Sequence, residues 1–339
     1  MKKANFFKLM AILAITILVT TNIYAQDFHF THSAPSNILR TMENNANALF
    51  AEISRAYDKH DSYLNLSDKK LTTDAKKRIM DLWSINHFVC NEVGYLPLDV
   101  YPMYSINGYQ VRNIPILIEI VLKDKNNHFK GYDYDFQSYV MTFDSSGTIC
   151  DLTPMISMHD YNKIMATGND VTKTRHSEKI VDFVENFRSA YDAKDSIGIE
   201  KMFSEDALII TGKVVNYAPN KETGSLINTQ EIVYKVSDKK EYMTRLKNAF
   251  RANEYIHIDF ENIDVIASEA IPNVYGVRLD QKWHSTNYSD EGELFLIIDY
   301  RDEEHPLVWV RAWQPYKDAK GNVIPYTEDQ HFSLGRFIK

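Results

Sequence analysis

Only two cysteines, Cys90 and Cys150, stand in 339 residues. A cysteine-built zinc site is thereby excluded. Glycine is scarce at 12, and nothing in the composition fits a disordered, collagen-like or coiled-coil chain. After residue 25 no apolar run reaches the length of about 20 residues that a membrane span needs. Basic excess is lacking too: Lys and Arg number 38 against 46 Asp and Glu, a net charge of −8. The chain is more acidic still without Lys2, Lys3 and Lys8. Nucleic acid, whose phosphates need a basic footprint, is therefore excluded as a partner. The chain also lacks a Gly-x-Ser-x-Gly elbow, a Walker loop, a dinucleotide fingerprint and a His-Glu-x-x-His pair. No cofactor and no catalytic residue is assigned from such motifs.

Aromatic residues are plentiful, with 21 Tyr and 17 Phe, as suits the half-buried surface of a sheet. The chain begins with a basic stretch up to Lys8, an apolar run over 9–20, and Tyr24-Ala25 before a polar segment. That order describes a secretory signal peptide over 1–25. Cleavage near Ala25 is expected, with a mature chain in the periplasm or outside the cell and no stable membrane span. No Cys stands at the cleavage point, so a lipid anchor there is not expected. In an exported chain Cys90 and Cys150 form either one disulfide or two separate buried thiols. Both readings stay open.

The chain repeats itself. Ala56-Tyr-Asp-Lys-His-Asp-Ser62 returns as Ala190-Tyr-Asp-Ala-Lys-Asp-Ser196, at an offset of 134. In the second half Ile180, Phe183, Val184, Phe187 and Tyr191 recur at helical spacing, behind Ser177 as a cap. A short helix over 199–203 and a strand over 207–215 follow. Next comes a loop with Pro219, Asn220 and Gly224, and then a helix over 239–253. Strands over 255–266, 274–288, 293–301 and 307–314 end the half. The first half gives the same order: helices over 36–60 and 73–85, then strands over 88–96, 109–122, 132–143 and 148–155. The expected organisation is a domain over 33–157, a polar linker over 158–176, a domain over 177–316 and an extension over 317–339.

The second-half run Ile180–Phe187, Ala193-Lys-Asp195, Ile199, Phe203 and Asp206-Ala207 resembles the opening of the nuclear transport factor 2-like, or SnoaL-like, superfamily. Leu296-Ile-Ile-Asp-Tyr-Arg-Asp and Leu307-Val-Trp-Val-Arg-Ala-Trp313 resemble its ending. The resemblance implies an α+β fold with two tandem cone-shaped domains, each with helices packed on a curved antiparallel sheet. It covers about 177–316, and the internal repeat extends it to the first half. The superfamily holds isomerases, dehydratases and hydrolases as well as binding modules. Its ketosteroid isomerases use a carboxylate base with a Tyr and a protonated Asp as oxyanion donors. The alignment puts Phe187 at the Tyr and Thr211 at the base, while the Asp falls on Asp299 or Ile297. A phenyl ring donates no hydrogen bond and a Thr hydroxyl is no base near neutral pH, so that chemistry is not expected.

His257, Asp259 and Glu261 alternate on one strand as a solvated face does, and no metal site is assigned there. Phe187, Tyr191, Val277, Leu279, Val310 and Ala312 are the expected wall of the second cone, with Asp299 as a polar anchor. They either line a ligand cup or fill a core. The same alignment turns Trp309, Arg311 and Trp313 to the outer sheet face. That face is then covered by a pseudo-dimer within the chain or a homodimer through sheet faces, or else Arg311 stacks between the rings. Three functions fit: an exported non-catalytic module holding a small apolar molecule or a protein partner, an enzyme of the same superfamily, or a cell-envelope protein with filled cones.

Overall fold

Met42, Ala46, Leu49, Phe50 and Ile53 give helix α1 (Ser36–Asp58) one buried stripe. The computed structural model describes residues 28–31, 33–90, 97–119, 134–167, 171–217, 229–318 and 320–338. The signal peptide expected over 1–25 lies outside them. Helix α2 (Thr73–Ile85) starts where the Thr72 side chain accepts a hydrogen bond from the Ala75 N–H. Both helices pack on a sheet of β1 (Phe30–Thr31), β2 (Phe88–Cys90), β3 (Leu98–Met103), β4 (Gly108–Glu119), β5 (Tyr134–Asp144) and β6 (Ile149–Pro154). Its order is β1-β3-β4-β5-β6, with β2 pairing elsewhere along β4. Leu49, Ile79, Trp83, Val111, Ile114 and Met141 are among its core residues.

The second half opens with α3 (Met158–Met165), α4 (Val171–Asp192) and α5 (Ser196–Met202). Strands β7 (Phe203–Tyr217) and β8 (Thr229–Ser237) lead to α6 (Lys239–Ala252). Then come β9 (Ile256–Ala267), β10 (Val274–Ser285), β11 (Ser289–Asp299) and β12 (Leu307–Pro315), in the sheet order β8-β7-β12-β11-β10-β9. The protein is α+β, two cones each with helices on a sheet. Each sheet is mixed rather than wholly antiparallel: β1 runs parallel to β3, and β7 to β12. Register shifts in β4, β9 and β12 are the bulges that bend strands around a helical core.

Two expectations need correction, the linker and the facing of β12. The linker expected over 158–176 contains α3, which Ser157 caps by accepting from the Asp160 N–H, and α4 begins ahead of Ser177. Pro219, Asn220 and Gly224 of the expected loop lie outside the described residues, and β8 stands between them and α6. Cys90 and Cys150 are free thiols. Cys90 lies in the first core, where burial pushes its thiol up to about 12, while Cys150 faces a cavity on the other side of the sheet. The last correction concerns β12, where the pairing passes from Ile298↔Val308 to Ile297↔Val310. Trp309 is the extra residue. One added residue reverses every later side chain, so Arg311 and Trp313 turn inward and Val310 and Ala312 turn outward.

The outer face is indeed covered, by the chain's own end. After a 3-10 turn (Glu328–Gln330), Phe332 and helix α7 (Leu334–Phe337) lie on Val274, Phe295, Ile297, Val310 and Ala312. Trp309 packs at the margin of this cluster, with the Arg301 guanidinium 4.8 Å from its ring centre.

Candidate functional site: the cleft between the cones

Helix α4 has two buried faces. Ile180, Phe183, Val184, Phe187 and Tyr191 enter the core of the second cone. Glu178, Asp182, Glu185, Ser189 and Asp192 form a second stripe by the same periodicity. That stripe meets the outer face of the first sheet. Arg112 pairs with Glu185, and both side chains are fully enclosed. Glu185 also accepts from the Ile156 N–H at 3.0 Å. The Gln110 amide accepts from Arg112 at 3.0 Å and donates to Asp182 Oδ1 at 2.9 Å. Arg78 reaches Asp151 at 3.0 Å, and Ser105 N–H donates to Glu178 at 2.8 Å.

Further along, Arg188 donates to the Met155 carbonyl at 2.9 Å and to Asp259 at 2.8 Å. His257 lies 2.9 Å from the Gln137 amide and 3.1 Å from Asp259. His257 is therefore buried at the joint, not solvated as its alternation suggests. Glu261, on the same strand, pairs with Lys282 at 2.7 Å.

A polar joint of this kind packs less closely than a hydrocarbon core, and space remains beside α4. A cleft there holds about 630 Å³. Its wall includes Lys77, Arg78, Lys179, Lys201, Asp182, Asn186 and Ser189, with Ile106, Ala190, Ile197 and Met202 as apolar members. A deeper lobe of about 230 Å³ shares Ile106, Asp182 and Asn186 with it, and is otherwise lined by Gln110, Thr142, Asp144, Asp151 and Glu185, among others.

Burial controls the charges here. It raises Asp182 to about 7, with the neighbouring Glu185 adding to the effect. Burial also raises Asp151, against the pull of Arg78, and Glu185, against Arg112. Asp192 is raised to about 6 by burial, which His257 opposes. For His257, burial works against the charged ring, but Asp192 and Asp259 outweigh it and the net shift is upward. Two hydroxyls on the cleft wall, Ser105 Oγ and Ser189 Oγ, make no hydrogen bond among the described residues.

The residues expected to wall the second cone are placed differently. Phe187, Tyr191, Val277 and Leu279 come together, each at most 2% exposed. They pack as a core, with Phe187 and Tyr191 ring centres 5.0 Å apart and edge to face. Asp299, at the end of β11, pairs with Arg301 at 2.9 Å. Val310 and Ala312 belong to the outer cluster, as described above. In their place the inner wall presents Arg311, which donates to Gln281 at 3.4 Å and lies 5.3 Å from the Tyr242 ring centre. Trp313 sits beside it, across from Thr211 on β7. Arg311 Nε, Trp313 Nε1 and Asp290 Oδ1 are buried there without a hydrogen-bond partner.

No protein-family model matches the sequence, and no curated protein matches it. The superfamily resembled by the sequence recurs among solved structures. An NTF2-like protein of unknown function from Pseudomonas putida is similar at 10% identity over 43% of this chain and 92% of its own, with a TM-score of 0.31. Bd1075 from Bdellovibrio bacteriovorus is similar at 12% identity over 66% and 83%, with a TM-score of 0.33. A protein of unknown function with a cystatin-like fold from Nostoc punctiforme is similar at 8% identity over 40% and 88%, with a TM-score of 0.28. No residue role is carried over from any of them.

Proposed function

We propose that this chain is an exported, non-catalytic binding protein that holds a small organic molecule in the cleft between its two cones. The cleft itself carries the reading. Its volume of about 630 Å³ is that of a small-molecule site, about 300–1,000 Å³, and its wall mixes apolar surface with a few polar groups. The Ser189 hydroxyl, buried and unpaired on that wall, costs free energy until something bonds to it. Phe187 and Thr211, where an isomerase would need a donor and a base, support binding over catalysis. Export rests on the order of residues 1–25.

Ala190→Trp places an indole in the cleft from a half-buried helix position. Thermal shifts across a metabolite library are expected to give stabilising compounds for the wild type, and Ala190→Trp is expected to lose those shifts. Shifts that survive the substitution would remove the cleft as the site. Mass spectrometry of the mature protein is expected to find its first residue near Gln26. A retained Met1 in a cytoplasmic fraction would overturn export.

A second reading rests on Arg311 Nε and Trp313 Nε1. Two buried donors without acceptors suit a carboxylate or carbonyl group at the polar end of the second cone. Arg311→Met would then abolish ligand shifts that Ala190→Trp leaves intact.

A further inference from the structure

The two lobes of the cleft both hold carboxylates and differ in whether cations line them. Asp144, Asp151, Asp182 and Glu185 line the deep lobe, and no Lys, Arg or His lines it among the described residues. Three of these carboxylates are answered. Arg112 pairs with Glu185 and Arg78 with Asp151. Asp144 accepts from the Ser146 and Thr148 N–H groups at 2.8 and 2.9 Å. Asp182 differs. Its one hydrogen bond among the described residues comes from the neutral Gln110 amide, and no cation pairs with it there. The outer lobe mixes Lys77, Arg78, Lys179, Lys201 and His305 with Asp74, Asp81, Asp195, Glu303 and Glu304.

A second observation concerns the same stripe of α4. Ser189 lies two turns beyond Asp182, is 1% exposed, and presents an unpaired hydroxyl on the cleft wall. A cavity, a carboxyl without a paired cation and, among the described residues, a buried hydroxyl without a partner therefore follow one another along one helix face.

We propose, resting on the cleft reading above, that the ligand is an organic amine whose ammonium group enters the deep lobe and pairs with Asp182. Its carbon skeleton lies in the outer lobe along Ala190, and a polar substituent meets the Ser189 hydroxyl. An ammonium group offers three donors to a lobe rich in acceptors. An anion in the same place would face Asp182, Glu185 and Asp151 with no added cation. A neutral ligand would leave Asp182 as it is.

The charged groups around Asp182 set the sign of a proton effect. They are Glu185 on its own helix, Arg112 on β4, Asp151 on β6 and the Tyr300 hydroxyl after β11. With these neighbours Asp182 stands near pH 7. A cation held against it favours the carboxylate, so binding near neutral pH releases a proton.

Isothermal titration calorimetry with putrescine and 1,4-butanediol separates the cases. Both probes are run at pH 7 in two buffers of different ionisation enthalpy. Putrescine is expected to bind with proton release and at least ten-fold more tightly than the diol. Asp182→Asn is expected to weaken putrescine at least ten-fold and to end the proton release. Ser189→Ala serves as the second variant, weakening an amine that bears a hydroxyl, such as 4-amino-1-butanol, more than putrescine. If the diol binds as well as the diamine, without proton exchange, and Ala190→Trp blocks both, the cleft reading stands and the amine inference falls. Putrescine binding that survives Ala190→Trp overturns the inference as well. So does the absence of binding by putrescine, spermidine and tyramine, while the cleft reading keeps its own test in the library screen.

Discussion

Both sheets give one face to their own helices, and the other faces are covered in opposite ways. The first sheet turns Gln110, Arg112 and Gln137 toward α4 of the second cone, and the join is made of ion pairs and amide bonds. The second sheet turns Val274, Phe295, Ile297 and Ala312 toward Phe332 and α7, and that join is hydrocarbon. Hydrocarbon packs to crystal-like density and seals. Directional polar bonds fix how the two cones sit against each other and leave gaps between them. The cleft lies on the polar side for that reason.

The largest expected effect strikes the polar cover. Arg112→Met leaves Glu185 buried and uncompensated, at a cost of about 3–5 kcal/mol in urea unfolding. Arg112→Met with Glu185→Leu is expected to regain most of that. If the single variant loses less than about 1 kcal/mol, the contrast between the two faces is not energetic. On the dry side, Phe332→Ala is expected to cost about 3 kcal/mol. The same change exposes Phe295 and Ile297, and gel filtration with light scattering should then show self-association.

A smaller effect concerns acidity. Asp182 titrates near 7 in the folded chain and near its ordinary value of about 3.9 when unfolded. Between those two pH values the folded state keeps a proton that the unfolded chain has released, so stability falls as pH rises through the window. Asp182→Asn has no proton to lose. It is expected to be more stable than the wild type at pH 8, by about 1–2 kcal/mol after allowance for solvent in the cleft, and unchanged at pH 3, below both values. Melting curves at both pH values check this; equal effects at both would remove the titration. The smallest effect is at the rim. Lys163 and Asp264 pair with both side chains more than two-fifths exposed, and Lys163→Ala is expected to cost less than about 1 kcal/mol.

Patterns local to one element were legible in the sequence. The helix expected over 73–85 is Thr73–Ile85, and the strand expected over 255–266 is Ile256–Ala267. Their periodicities are carried by each segment alone. Strand β12 was legible as a strand but not in its facing, because no residue type marks the bulge at Trp309. The cleft was not legible. Glu178, Asp182 and Glu185 read as the wet side of an amphipathic helix, and the first sheet, about 70 residues earlier, buries them. A polar stripe as regular as the apolar one was the available signal. What covers it is a property of the tertiary fold.

The double use of α4 separates the single cone from the unit of independent folding. A cut in the chain ahead of α3 would part the two cones, yet it would not release two self-sufficient pieces. The upstream piece would carry Arg112 on a bare sheet face, and the downstream piece a helix with Glu185 and Asp182 stripped of their partners. Each piece holds the missing surface of the other, so the two are complementing fragments.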